Sequence, residues 1–400
     1  MTIKDVVTSL TDNTDLQAAM CFNWGDLGCQ PSEAPWVIQA GLMLHYARGA
    51  YYPHGGTQNI ARKIIPTITD AGGKVLAHAP VKEIAFARWS GKASGVVMKN
   101  GRQIMARKGV ISDAGLFDTI KHLIPPSHDR RKKLCDRYFG GEGGDKKLKQ
   151  SITGMYLAVG LKGDHDEDLH IPHNQFWVCK SAEEVLTYNV STSLDEALDE
   201  TEPFLFISSP SGKDLGWKNE LPGKSSIEIV TFASPEWFDG PKEDPELGGL
   251  SDLGGKPNSH GVKYEAVKEK LAERMWARAR EVLESAGAKL PASLSEVDHY
   301  QIGSPLTFAH YFRRENGVWY GTKNDTKRFG LEVATEQIRP DAITSDIPGL
   351  YLTGQDASCD GFVGAMIGGL LCAAKIEGVM NPFSLAGPKT MNIFSASKLN

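Results

Sequence analysis

The sequence predicts an α/β fold spread over more than one domain, and three observations predict it. The chain has 400 residues, which at about 150 per domain is a prior of two to three domains. Helical and strand periodicities alternate through residues 51–120 and end in Gly109-Val110-Ile111-Ser112-Asp113-Ala114-Gly115. That is an apolar strand running into small and polar residues, the kind of strand end where α/β folds hold ligands. Residues 153–232 alternate instead with the two-residue period of a second, largely antiparallel sheet. The 42 glycines exceed the average usage of about 7%, and such a surplus fits the tight turns and close backbone approaches of nucleotide-binding α/β proteins.

Residues 1–48 read as helical, with Thr2 and Asp5 as a capping box and an apolar rhythm through Ile3, Val6, Val7 and Leu10. After Tyr51-Tyr52-Pro53-His54-Gly55-Gly56-Thr57, isoleucines at 60, 64, 65 and 68 mark a helix that Gly72-Gly73 closes and Pro66 should bend. Lys74–Ala77 and Val81–Arg88 read as short strands. Gly95–Lys99 should pair with Gln103–Arg107 across Asn100-Gly101, a strong hairpin signal. Residues 121–150 are cationic and include Gly140-Gly141-Glu142-Gly143-Gly144, which reads as a solvated helix and loop because no strand leads into it and no phosphate-loop motif runs through it. In the second block, Met155–Leu161, Phe204–Ser208 and Ser226–Phe232 are the expected strands, and Asp239–Gly261, rich in Gly, Pro and Asp, is an expected surface loop. The clearest helix follows, with Tyr264, Val267, Leu271, Met275 and Val282 on one stripe and Gly287 at its end.

Composition excludes several classes of function. A formal net charge of −5 with 23% charged residues gives no bulk electrostatic support to a nucleic-acid partner. The six cysteines contain no C-x-x-C pair, so a zinc knuckle or thioredoxin-like dithiol is not expected. The first twenty residues lack a signal-peptide core and no run of eighteen apolar residues occurs, so the chain is expected to be soluble by itself. Serine-hydrolase, zincin and P-loop motifs are absent. Asp164-His165-Asp166-Glu167-Asp168-Leu169-His170 with His173 could be drawn as a metal site, but so hydrophilic a run reads better as a solvated loop, and no metal is expected. Phe308, His310, Tyr311, Phe312, Trp319 and Tyr320, interleaved with Arg313 and Arg314, suit either the wall of an apolar tunnel or a half-buried core edge.

The most informative segment is Leu350-Tyr351-Leu352-Thr353-Gly354-Gln355-Asp356, followed by Gly361-Phe362-Val363-Gly364-Ala365-Met366-Ile367-Gly368-Gly369. It reads as a buried strand, a turn and a helix whose unpaired first-turn N–H groups favour an electron-rich ligand edge. Gly368 and Gly369 each cost a helix about 1 kcal/mol relative to Ala, so something should press against that face. The plain alternative is a strand-turn-helix unit packed tightly on a sheet.

This segment resembles the C-terminal flavin motif of the glutathione-reductase-like and amine-oxidase-like FAD proteins, and within them the phytoene desaturase and carotenoid isomerase group. Tyr52-Pro53-His54-Gly55-Gly56, Ala71-Gly72-Gly73-Lys74-Val75, Val81, Ser112-Asp113-Ala114-Gly115-Leu116-Phe117 and Gly303-Ser304-Pro305-Leu306-Thr307 fall in that family's order and spacing, so the likeness covers essentially the whole chain. It implies an FAD-binding domain assembled from residues 51–120 and 335–385, and a substrate domain with an antiparallel sheet from 1–50 and 121–334. It also implies that the Val81 backbone contacts adenine, that Asp113 and Ala114 lie near the dinucleotide, and that Gly354 and Asp356 meet the ribityl or pyrophosphate region. The N–H groups of Val363 and Gly364 would face the flavin pyrimidine edge.

By the same resemblance the reaction is saturation of the 13,14 double bond of all-trans-retinol by flavin hydride transfer, with NAD or NADP as electron donor. The substrate would be a small apolar polyene and the location the endoplasmic reticulum membrane. His310 and Tyr311 are the candidate proton donors, chosen only for their titratable groups. A carotenoid desaturase or isomerase is the alternative enzyme. The family's opening G-x-G-x-x-G is absent from this sequence, Gln355 separates Gly354 from Asp356, and His54 stands where the family usually has Arg. A truncated fragment without catalytic activity is therefore the alternative of another class.

Overall fold

The structure is a computed structural model, and it describes residues 1–47, 49–140, 148–189, 192–238, 262–329 and 341–382. It is a mixed α/β protein with ten strands among the described residues: β1 (Val81–Phe86), β2 (Ala93–Met98), β3 (Gln103–Met105), β4 (Val110–Ser112), β5 (Gly154–Lys162), β6 (Phe176–Val178), β7 (Leu205–Ser208), β8 (Lys224–Phe232), β9 (His299–Gly303) and β10 (Leu350–Leu352). The chain divides into two units. One comprises residues 1–25, 30–76 and 152–319, the other residues 26–29, 77–151 and 320–400.

The first unit is built on a five-stranded antiparallel sheet in the order β6-β7-β8-β5-β9. Along β5, Met155, Leu157, Val159 and Leu161 are all buried, which is the two-residue period turning one face inward. That face meets the helix Val262–Ser285, whose Tyr264, Val267, Leu271 and Met275 enter the same core. The expected strands in 153–232 are present, whereas β6 and β9 were not foreseen. Both are short, and β9 buries only Gly303, so neither carries a clear alternation. The N-terminal segment is three helices, Ile3–Leu10, Thr14–Ala19 and Trp36–Tyr46, with a 3-10 turn at Trp24–Leu27. The Thr2/Asp5 capping box forms in both directions, at 2.9 and 3.1 Å. Ile3 and Val7 are buried, but Leu10 points to solvent. The helix Gln58–Asp70 runs through Pro66 and ends at Gly72-Gly73, whose N–H groups bond back to Thr69 and Ile68.

The second unit holds a three-stranded antiparallel meander, β1-β2-β3, and a parallel pair, β10-β4. The Asn100-Gly101 hairpin joins β2 to β3 with Val97 opposite Gln103. Lys74–Ala77, expected to be a strand, is not one: it joins no ladder among the described residues, and Val75 and Leu76, at the end of a segment of the first unit, remain exposed. Leu350 and Leu352 of β10 are buried with Ile343, Ile347, Leu116 and Ile120 in this unit's core. Residues 129–139 form the expected cationic helix. Residues 141–144, 239–261, 335–340 and 383–385 of the segments singled out in the sequence lie outside the described residues.

Candidate functional site

In the second unit β10 pairs in register with β4, Leu350 opposite Val110 and Leu352 opposite Ser112, and the Thr353 N–H continues the ladder to the Ser112 carbonyl at 3.0 Å. Both strands then turn at the same level. Gly354 adopts φ +76°, a conformation that favours glycine, and a Cβ there would displace the Asp113 carboxylate beside it. The helix Gly361–Glu377 returns over this turn. Gly368 presses its α-carbon on the Gly354 backbone and Gly364 on the Cys359 carbonyl, while a Cβ at Gly361 or Gly369 would meet nothing within 4 Å. What presses on Gly364 and Gly368 is therefore the chain's own backbone. The opposite side of the first turns is uncovered, with Phe362, Val363 and Met366 between 41% and 52% exposed.

Asp356 is 2% exposed. Its Oδ2 accepts from the Leu116 N–H at 2.6 Å and its Oδ1 from the Thr322 N–H at 2.8 Å. The carboxylate thus joins three chain segments. Behind it lies Arg328, a residue the sequence reading did not single out, 4% exposed. Its Nη1 donates to the Thr322 carbonyl (2.8 Å) and to Asn324 Oδ1 (2.7 Å). Its Nη2 donates to the carbonyls of Gln355 (2.8 Å), Asp356 (3.1 Å) and Ser358 (3.2 Å). Burial pulls the guanidinium below its ordinary value, opposed by Asp356, Asp360 and Asp325. Asn324 donates to Asp360 Oδ1 at 2.6 Å. Asp360 occupies the N-cap position of the helix without a side-chain capping bond, and burial pushes its carboxyl above the usual carboxylate range. An arginine with a run of backbone carbonyls fixes the loop 355–358 and so the place where the helix starts.

The structure thus places Gly354, Asp356, Val363 and Gly364 on one strand-turn-helix unit, with Asp113, at the end of β4, beside its turn. Ala114 follows Asp113, half-buried, and Val81 opens β1 opposite Met98, 37% exposed. His310 and Tyr311 belong to the other unit, on the helix Pro305–Phe312. Their rings meet edge-on at 5.0 Å, with Tyr311 66% exposed. In that unit Phe308 contacts Tyr156 (5.8 Å) and Trp319 (5.3 Å), and Trp319 continues through Phe232 to Trp24, Tyr188 and Phe204. Burial, then Glu228 and Tyr311, raises the Tyr156 hydroxyl.

Residues 164–173 turn out more ordered than a plain solvated loop. Ligand atoms of His165, Asp166 and His173 lie within 4.8 Å of one another. His173 Nδ1 faces the Gly212 carbonyl and Nε2 the Asp166 carboxylate, both in hydrogen-bond range, and the Lys218 ammonium sits 3.1 Å from Asp164 and 3.6 Å from Asp166. The Lys218 ammonium offsets part of the negative charge of this turn. No helix among the described residues is long and apolar enough to cross a membrane.

No family model matches the chain. Among curated proteins it is 32% identical over 378 residues to an all-trans-retinol 13,14-reductase of Danio rerio, covering 94% of this chain and 57% of that protein. A second Danio rerio protein, named an inactive all-trans-retinol 13,14-reductase, is 27% identical over 378 residues, 93% of this chain and 56% of the other. Prolycopene isomerase 2 of an Oncidium hybrid cultivar is 24% identical over 356 residues, 85% and 49% of the two chains. The chain spans a little over half the length of the reductases it matches.

Proposed function

We propose that this chain, a relative of the retinol 13,14-reductases and more distantly of the prolycopene isomerases, is an FAD-dependent oxidoreductase acting on a CH–CH bond of a polyene. The observation that carries the reading is the strand-turn-helix unit at 350–377. It combines a glycine turn against Asp113, an uncovered helix start and a buried scaffold that leaves that start facing outward. In this reading the glutathione-reductase-like nucleotide-binding domain, expected over 51–120 and 335–385, has residues 77–120 and 335–385 in the second unit and 51–76 in the first, and most of the substrate domain lies in the first unit.

The residues present fit part of FAD. The first-turn N–H groups, Val363 among them, suit the pyrimidine edge, where they favour negative charge. Asp113 and Ala114, at the open end of β4, suit the dinucleotide, and Val81 the adenine. Asp356 is assigned to the scaffold rather than to the ribityl chain, because both its oxygens are engaged by buried N–H groups. Pyrophosphate binding needs a glycine-rich loop at a helix N-terminus, which this sequence does not contain. Bound FAD would supply the hydride that saturates one carbon of the 13,14 double bond of all-trans-retinol, with NAD or NADP as the source of electrons. This chain's own residues would supply the apolar surface that holds the polyene and the proton for the other carbon, from His310 or Tyr311.

The test is the visible spectrum of the purified chain after addition of FAD and desalting, alone and co-expressed with the glycine-rich segment of a matched reductase. Retained flavin, followed by formation of 13,14-dihydroretinol under a reduced nicotinamide, supports the reading. No retained flavin in either preparation of folded protein overturns it. Isomerised or desaturated C40 product without dihydroretinol would favour the carotenoid alternative, which the isomerase relative supports. Flavin retention without any product would favour an inactive homologue, for which the inactive relative is the precedent.

A further inference from the structure

The pairing of β7 and β5 with β8 brings three pieces of chain to one end of the first unit's sheet. They are the loop 163–173 that leaves β5, the turn 209–212 that leaves β7, and Ser226 near the start of β8. His165 and His173 stand in that loop with ring centres 4.8 Å apart and planes at 69°. Their surroundings assign the ring protons. His173 Nδ1 lies 2.6 Å from the Gly212 carbonyl, which can only accept, so this nitrogen carries a hydrogen. The hydroxyls of Ser209 and Ser211 both donate to the Ser226 carbonyl, at 2.8 and 3.3 Å. Their oxygens, each 3.2 Å from His165 Nδ1, are then left to accept from it. Each Nδ1–H is anchored on the protein, and each Nε2 of a neutral ring keeps a lone pair to offer.

Among the described residues neither Nε2 faces a donor. His165 is 2% exposed, and its Nε2 is buried without a hydrogen-bond partner. A Cβ at residue 212 would lie 2.3 Å from that nitrogen, so Gly212 is what leaves it uncovered. His173 Nε2 lies 2.7 Å from Asp166 Oδ1, an acceptor against an acceptor unless a proton or a cation joins them. One ligand atom from each of His165, Asp166 and His173 falls within 4.8 Å of the others. Two imidazoles with Nδ1–H held by a carbonyl or hydroxyl, beside a carboxylate, are the ligands and supporting shell of a zinc-like ion that keeps one position for water. Two ring nitrogens suit such an ion better than calcium or magnesium, which take oxygen ligands. Lys218 sets a single ammonium against Asp164, Asp166 and Glu167, so negative charge remains for a divalent ion.

We propose that His165, Asp166 and His173 form a zinc site that fastens the loop 163–173 to the turn 209–212.

The experiment is a titration of the purified, untagged chain, stripped with a chelator and kept reduced, with Zn²⁺ by calorimetry and with Co²⁺ by visible absorption. One tight ion per chain is expected, with Co²⁺ bands of nitrogen and oxygen ligation and no thiolate band. His173→Ala, at a largely exposed side chain, should weaken zinc by about tenfold or more, as should Asp166→Asn, since loss of a supporting partner alone costs that much. Glu167→Gln, in the same acidic turn, should leave the affinity nearly unchanged. Lys218→Met should tighten binding by removing the ammonium that competes for Asp166. Zinc should raise the melting temperature of the parent and not that of His173→Ala. Zinc binding no tighter in the parent than in His173→Ala would mean that a second proton on His173 joins it to Asp166, and overturns the site. Equal losses from Glu167→Gln and Asp166→Asn would reduce it to diffuse attraction, and a thiolate band with His173→Ala unaffected would move the ion to cysteines. Either result also overturns the proposal. None of these outcomes bears on flavin retention or on the reaction.

Discussion

Arg328 donates to the main-chain carbonyl of Asp356 at 3.1 Å while the carboxylate of that same aspartate accepts N–H groups from Leu116 and Thr322. Each residue therefore holds the loop before the helix 361–377 from a different side, one by donating to its carbonyls and the other by accepting from its neighbours.

Replacing Arg328 by Gln removes a buried charge from among three aspartates and strands several carbonyls. We expect a loss of about 1–3 kcal/mol, the cost of leaving buried acceptors without their donor. Chemical denaturation of the chain measures it, and a loss below 1 kcal/mol would show that the network contributes little.

Asp356→Asn turns one acceptor oxygen into an amide facing a buried N–H. The expected cost is about 1–3 kcal/mol, that of an unsatisfied buried donor. A direct flavin contact would instead lower flavin affinity without moving the unfolding midpoint, so the two roles separate in one pair of measurements.

Gly368→Ala should destabilise by about 1–3 kcal/mol, since its methyl would meet the Gly354 backbone, which has no room to move. Gly369→Ala, with nothing within 4 Å, should stabilise the helix by about 0.5–1 kcal/mol. Equal effects at the two positions would contradict this packing.

Asp298 accepts from Lys224 and lies 3.5 Å from Lys162, binding the ends of β8 and β5 beside β9. The hydrogen bond to Lys224, helped by both positive charges, lowers its carboxyl below the ordinary value. The unfolded chain then binds the proton first, so this contribution is present above about pH 4 and fades as the pH falls through the folded value. Melting temperatures from pH 7 to 3 should fall less steeply for Asp298→Asn than for the parent, and identical slopes would remove Asp298 from the acid response.

The strand-turn-helix at 350–377 was legible because its signal is local: an apolar strand, a glycine turn and an apolar helix in sequence. The two-residue alternation of β5 and β8 was equally plain, and so was the stripe of the long helix. Spacing alone does not separate Gly368, whose Cβ would meet backbone, from Gly369, whose Cβ would meet nothing within 4 Å, because it does not say which side of a largely apolar helix faces in. Arg328 escaped notice for a related reason. It sits on a four-residue helix with no periodicity, and its partners are carbonyls, which every residue has. Asp356 was noticed as an acid near a glycine turn, but only three-dimensional contacts show that N–H groups from residues far away in sequence occupy both oxygens.

The bond from Leu116 to Asp356 spans 240 residues, and β4 has its parallel partner only in β10 among the described strands. At typical ribosomal speeds of 5–20 residues per second, roughly ten to fifty seconds separate the emergence of the two ends. During that interval Leu116 and Ile120 have been made but lack Leu350 and Leu352, so the core of the second unit cannot close until residue 352 has emerged.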